Sequence, residues 1–359
     1  MILKDELMID VIRSGSLESQ YIGSIAVVDF NGKLLARVGN PLRRSFMRSS
    51  VKPVQALPLF MDDGCMKHFK FTMRERAYLM SSHNAERRHQ AVGAAIQKKI
   101  GVTNKDMGCG IHPPAFQDTA YDMLRKGEEF TPLCNNCSGN HLAMLSLSIY
   151  RGWDISDYIN PEHPYQKEVL KWLGTFTGIP ASRIRIGIDN CSVPAYNLTL
   201  QQMALVYARM SAPEKFDSIA NPYNLDFKKA SEVIKGMIDD FWANPDMIGG
   251  TNRLCTYLNK VGKGVFWSKA GAEGMQLVGF VDHGIGMALK IVDGDRGTRA
   301  KPTATIEALR QLGFLSDADI KKAGNLYMPE IPNLRGFDAQ IIMPRLKFKK
   351  TTAWLHRFS

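Results

Sequence analysis

Apolar residues along this chain follow two different periods. Positions 25–30 are rich in Val and Ile, Asn31-Gly32 follows, and an apolar run returns over 34–38. Asn-Gly between apolar runs is a strong hairpin signal, because both central turn positions need positive φ. A second strand pair is predicted late, where 275–282 and 285–293 flank His283-Gly284. Between these ends the period becomes helical. Thr72-Met73-Arg74-Glu75 reads as a capping box opening a helix into Leu79. Positions 141–151, 164–174 and 200–210 each gather apolar residues on one face: Leu142, Leu145 and Ile149 in the first, Val169, Leu170 and Leu173 in the second, and Met203, Val206, Tyr207 and Met210 in the third. Such stripes are core-facing. Strands at both ends with helices between them imply one sheet assembled from distant segments, an α+β design rather than alternating βαβ units. No repeat or low-complexity tract interrupts the chain, and the polar stretch 211–224 is too short for a linker. A single domain over 1–359 is therefore expected.

Composition narrows the class. The 359 residues are 45% hydrophobic and 23% charged, which excludes a disordered or fibrous chain. Six cysteines are too sparse for a disulfide-stapled module. No apolar run approaches the roughly 18–20 residues of a spanning helix, so no membrane partner is expected. The first residues, Met1-Ile2-Leu3-Lys4-Asp5-Glu6-Leu7, carry acids where a secretory signal is apolar, so a cytoplasmic location is expected. The cysteines are then thiols or metal ligands. The net charge of +11 raises a nucleic-acid partner, but its distribution opposes one. Glu75 and Glu86 interrupt the basic stretch 74–88, and no sustained basic run is interleaved with stacking aromatics.

Four segments carry candidate chemistry. Arg48-Ser49-Ser50-Val51-Lys52 contains a Ser-x-x-Lys; three residues apart on a helix, the amine reaches the hydroxyl. A neutral lysine can take the proton of a serine nucleophile, provided burial or a second cation favours the neutral amine. Pro53 suits a first helical turn. Taken alone, this spacing also fits an exposed helix start. Ser81-Ser82-His83-Asn84-Ala85-Glu86 is a polar cluster following an apolar helix, which reads equally as a site loop or as a helix end. In Cys134-Asn135-Asn136-Cys137-Ser138-Gly139-Asn140-His141, the Cys-x-x-Cys has no second copy to complete a zinc ribbon. Cys191 in Asp189-Asn190-Cys191 is a chemically sensible partner for Cys137 at a thiolate-rich zinc site, and two buried thiols are the plainer alternative. Lys269 stands among small residues in Ser268-Lys269-Ala270-Gly271-Ala272, which permits close backbone approach or an ordinary turn.

Together, and in this order, these segments resemble the Rhizobium-type (class 3) L-asparaginases, from about residue 8 to residue 345. The resemblance implies a serine β-lactamase-like fold, with a central antiparallel sheet covered by helices, and a homodimer. It implies hydrolysis of the L-asparagine side-chain amide to L-aspartate and ammonia. The catalytic residues it implies are Ser49 with Lys52 and Ser82 with Lys269; beside these, Arg48 and His141 are candidates for the substrate carboxylate, and Asp189 for its ammonium or for orienting a zinc-bound water. It also implies zinc held by Cys137, Cys191 and a lysine, but the lysine position here is Asn140, a poor partner for a thiolate–zinc centre. Pro58 falls within the helix after Lys52 and is expected to end or kink it near Leu57. Two other activities share the chemistry: glutamine hydrolysis and penicillin recognition. A binding homologue that has lost activity is a third alternative, favoured only by Asn140.

Overall fold

The computed structural model describes residues 3–296 and 298–358; Met1 and Ile2 of the N-terminal reading lie outside it. Two compact units form. Of the described residues, the first comprises 3–50, 198–212 and 261–358, and the second 51–197 and 213–260.

In chain order, β1 (Glu6–Arg13), β2 (Ser16–Asp29) and β3 (Leu34–Val38) open the first unit. The second begins with α1 (Lys52–Phe60), α2 (Met73–Leu79) and α3 (Arg87–Ile100). It continues with α4 (Ser138–Arg151), α5 (Pro164–Thr177) and the hairpin of β4 (Arg185–Ile188) with β5 (Pro194–Thr199). The first unit then receives α6 (Leu200–Met210), and the second α7 (Phe227–Ala243). The first is completed by β6 (Phe266–Ala270), β7 (Met275–Phe280), β8 (Ile285–Ile291), α8 (Ala300–Gln311), β9 (Glu330–Pro332) and β10 (Asp338–Pro344).

The first unit is built on an antiparallel sheet in the order β9-β10-β1-β2-β8-β7-β6. Strand β2 is long enough to pair β1 with its first half and β3 with its second, while β8 runs along its other edge. Its turn to β3 is the Asn31-Gly32 turn read from the sequence, with Gly32 at φ +82°. Every residue of β6, β7 and β8 is buried. Side chains alternate across a strand, so such burial means that both sheet faces are covered. Helix α6 lies against β2, β7 and β8, and α8 against β1, β7, β8 and β10. Gly286 permits the α6 approach, since a Cβ there would stand 1.9 Å from the Ala204 carbonyl oxygen. The α+β architecture with a central antiparallel sheet is thus as the sequence implied.

The second unit is helical apart from the β4–β5 hairpin. Its centre is α4, buried continuously from Ser138 to Ser148, as a core helix must be when packed on all sides. Helix α2 starts at the expected capping box: Thr72 Oγ1 accepts from Glu75 N at 3.2 Å, and Glu75 Oε2 from Thr72 N at 2.7 Å. Of the two outcomes expected at Pro58, the helix end is corrected. Helix α1 does not end at Leu57 but runs to Phe60. Proline's φ is helical, and its cost is one missing bond to a preceding turn. The following turn stays closed, with Met61 N donating to Leu57 O and Asp62 N to Leu59 O. Among the described residues no helix is long and apolar enough to cross a membrane.

Candidate active site

The chain leaves the first unit for the second between Ser50 and Val51, inside a short 3-10 turn over Arg48–Val51 that runs into α1. The candidate residues therefore fall on both units.

In the first unit, Arg48 has φ +52°, a left-handed conformation costly for a residue with a Cβ and characteristic of functional sites. Its guanidinium stands 3.9 Å from the Glu273 carboxylate. Ser49 follows, half-buried. Ser50 closes the turn, its Oγ donating to Met47 O at 2.6 Å, and Tyr207 Oη donates to Ser50 O at 2.7 Å. Lys269 lies on β6, fully buried, with Nζ donating to Ala270 O at 3.0 Å. The small residues after it now have a reason. A Cβ on Gly271 would meet Met47 O at 2.6 Å, so only glycine lets this hairpin rest on the backbone that leads into Arg48 and Ser49. Glu273, at φ +57°, turns the hairpin, and buried Lys290 fixes it by donating to Glu273 O. Burial pushes the Lys290 ammonium below its ordinary pKa, while the Glu273 carboxylate opposes the shift.

In the second unit, Lys52 heads α1 and is 2% exposed. Its Nζ donates to Ser81 O at 2.7 Å and Asn136 O at 3.2 Å, and it also meets the Cys137 sulfur. These carbonyls immediately precede Ser82 and Cys137, so one amine ties together two of the sequence segments. Ser82 is buried, and its N–H donates to Ile248 O at 3.1 Å. Cys137 stands at the N-terminus of α4, with its N–H donating to Asn135 Oδ1 at 2.8 Å.

Cys137 and Cys191 are hydrogen-bonded through their side chains. The Cys191 thiol donates to Cys137, and this, with the Lys52 cation, lowers Cys137 to about 5 against the opposing effect of burial. Cys191 is raised by the same hydrogen bond and by burial. Cys191 sits in the β4–β5 turn, where Ser192 has φ +73° and half-buried Asp189 donates N–H to Val193 O at 2.9 Å. His141 is fully buried and its Nδ1 lies 2.6 Å from Tyr158 Oη. Tyr158 Oη also accepts from Gly108 N at 2.7 Å, and His141 Nε2 is buried with no hydrogen-bond partner among the described residues. Burial, reinforced by the Lys52 cation, lowers His141 to about 3, so it is neutral. A substrate carboxylate would meet a neutral imidazole there, not a cation.

Asn140 is fully buried and donates Nδ2 to Gln55 Oε1 at 3.1 Å, while its Oδ1 has no partner. Asn140 thus stands three residues after Cys137 at the start of α4, where the resemblance puts a lysine. Among the described residues no third Cys, His, Asp or Glu joins the two sulfurs. Two thiols and an amide do not fit a three-ligand thiolate–zinc centre. Cys134 faces elsewhere, packed with Ala85 and Met123, and burial raises its thiol, so Cys134 and Cys137 are not a redox pair. Cys65 and Cys109 are pushed up to about 12 by burial, as inert core thiols.

Three partners went unread in the sequence. Gln55 accepts from Asn140, Tyr158 orients His141, and Ser138 receives His83 and Tyr78. Each lies 17 to 85 positions from its contact, so no local spacing betrays it.

The family model of L-asparaginase II matches residues 9–341. The chain belongs to the L-asparaginase II family. This membership makes it an amidohydrolase. Comparison with curated proteins returns no match. Solved structures similar to this asparaginase-family chain include a Bacillus glutaminase, 10% identical over 81% of this chain and 91% of its own, with a TM-score of 0.36. Mglu in its native form in 4.3 M NaCl is 12% identical over 81% of this chain and 60% of its own length, with a TM-score of 0.38. At these scores the fold rests on the topology described above.

Proposed function

We propose that the protein is an L-asparaginase of the Rhizobium type with a serine β-lactamase-like catalytic domain over 1–359, acting as a cytoplasmic homodimer. Ser49 Oγ attacks the side-chain amide carbon of L-asparagine as Lys52 Nζ takes its proton. The tetrahedral oxyanion collapses, the C–N bond breaks, and a protonated nitrogen leaves as ammonia. Water then cleaves the aspartyl ester and releases L-aspartate and Ser49. Ser82 with Lys269 delivers the proton to the leaving nitrogen and activates the water. Lys52 must be an uncharged amine when Ser49 attacks. Arg48 receives the substrate carboxylate and Asp189 its ammonium; neutral His141 donates one further hydrogen bond. No step passes through zinc.

The observation that carries this reading is Lys52: a 2% exposed amine, three residues after a serine, held by the carbonyls that precede Ser82 and Cys137. Its test is ammonia release from L-asparagine, with L-glutamine and a chromogenic β-lactam in parallel. Glutamine adds one methylene, worth about 1–3 kcal/mol in a pocket, so asparagine should be favoured by about 10- to 200-fold in kcat/KM. A preference for glutamine or the β-lactam would move the assignment to the corresponding activity.

A further inference from the structure

His83 follows Ser82 and looks, with Ser138, like a serine–histidine dyad. Its hydrogen bonding excludes that role. Ala85 N donates to His83 Nδ1 at 3.0 Å, which puts the imidazole proton on Nε2. Nε2 lies 2.9 Å from Ser138 Oγ, so the histidine donates to the serine and cannot take its proton. Burial also drives His83 far below its ordinary pKa and keeps it neutral.

The surroundings are built for rigidity. His83 is fully buried and its ring is stacked between Tyr78 at 4.9 Å and His89 at 4.9 Å. Ser138 Oγ lies 2.7 Å from Tyr78 Oη as well. One residue on, a Cβ at Gly139 would stand 1.9 Å from Tyr78 O, so the start of α4 is pressed against the end of α2. The chain beyond His83 is held too, with Asn84 N donating to Gly249 O at 3.0 Å. The two backbone segments joined by the His83–Ser138 bond are 81–83 and 136–138. Their carbonyls at Ser81 and Asn136 are the acceptors for Lys52 Nζ.

We propose that His83 is a positioning residue: its Nε2–H bond to Ser138 clamps together the two backbone segments whose carbonyls orient the Lys52 amine. This rests on the reading of Lys52 as the base. The clamp sets how far apart Ser81 O and Asn136 O stand, and so where the nitrogen lone pair points. It touches neither substrate nor reacting atoms.

Two substitutions separate the bonds of the ring. His83→Gln keeps a donor at the Nε2 position and loses the acceptor for Ala85. His83→Asn keeps the acceptor at the Nδ1 position and loses the donor to Ser138. Both remove a stacked ring, so a merely structural role would make them alike. On L-asparagine, His83→Asn should lower kcat by about 10- to 100-fold with KM within about threefold of wild type. His83→Gln should stay within about threefold of wild-type kcat. Amide hydrogen exchange over 135–141 should be faster in His83→Asn and near wild type in His83→Gln. If His83→Asn fails to fold, Ser138→Ala removes the same bond from the other side and should repeat its kcat loss and faster exchange. Equal losses in the two His83 variants, or a wild-type Ser138→Ala, would overturn the clamp. If the wild-type enzyme releases no ammonia, the proposed activity fails first; the exchange comparison then decides the clamp alone, with equal exchange overturning it.

Discussion

Two glycines show how an absent side chain defines this site. Gly139 lets α4 reach the Tyr78 carbonyl, and Gly271 lets the Lys269 hairpin reach the Met47 carbonyl. In each case the neighbour is backbone and cannot turn aside. Gly139→Ala and Gly271→Ala should each cost about 1–3 kcal/mol in urea unfolding, the usual range for overpacking. An unchanged midpoint in both would contradict the close approach. Asn140 stands where the resemblance puts a lysine ligand for zinc. Its Oδ1 is buried without a partner, and Cys137 and Cys191 hydrogen-bond to each other. Asn140→Lys should tighten zinc binding at neutral pH by at least about tenfold, read by competition with a chromogenic chelator. Equal zinc affinity in both proteins would show that position 140 is not what limits the site.

At the level of elements, the capping box at Thr72 is a direct test of local sequence logic. Thr72→Ala removes the acceptor for Glu75 N and should cost about 1 kcal/mol by chemical unfolding. A loss below the error of measurement would mean that tertiary packing alone fixes the start of α2. This cap, the Asn31-Gly32 turn and the helices α4, α5 and α6 were legible because each signal lies within a few residues of its consequence, though α4 is buried on every side and not along one stripe. The sheet edge was not. Ile9 pairs with Pro344 in the β1–β10 ladder, and nothing local in either strand points across that separation. Pro58 misled for a related reason: proline chemistry gave the missing bond, but not the closure of the next turn by Met61 and Asp62. In the site, residue identities were readable and orientations were not. The Lys52 amine direction, the His141–Tyr158 contact and the Cys137–Cys191 hydrogen bond depend on partners brought together by folding.

For the molecule as a whole, buried neutral histidines set an acid limit. His141 is near 3 in the folded protein and near 6.5 when unfolded. His83 and His89 are lowered in the same direction by burial. Between these pH values the unfolded chain binds more protons than the native one, so stability present above pH 6.5 is lost as the pH falls toward 3. His141 alone should contribute a loss of about 2 kcal/mol by pH 5. Urea midpoints at pH 7.5 and pH 5 read this directly, and equal midpoints would contradict neutral burial. At the same scale, light scattering should give twice the chain mass, and a single chain mass would remove the homodimer. Acylation of Ser49 by L-asparagine, with Lys52 as its base, is read by ammonia release from wild type and Ser49→Ala. Wild type should release ammonia and aspartate in equal amounts, and folded Ser49→Ala should lose at least about a thousandfold in kcat. Near-normal turnover by Ser49→Ala would contradict the nucleophile, and no ammonia from wild-type protein would contradict the activity itself.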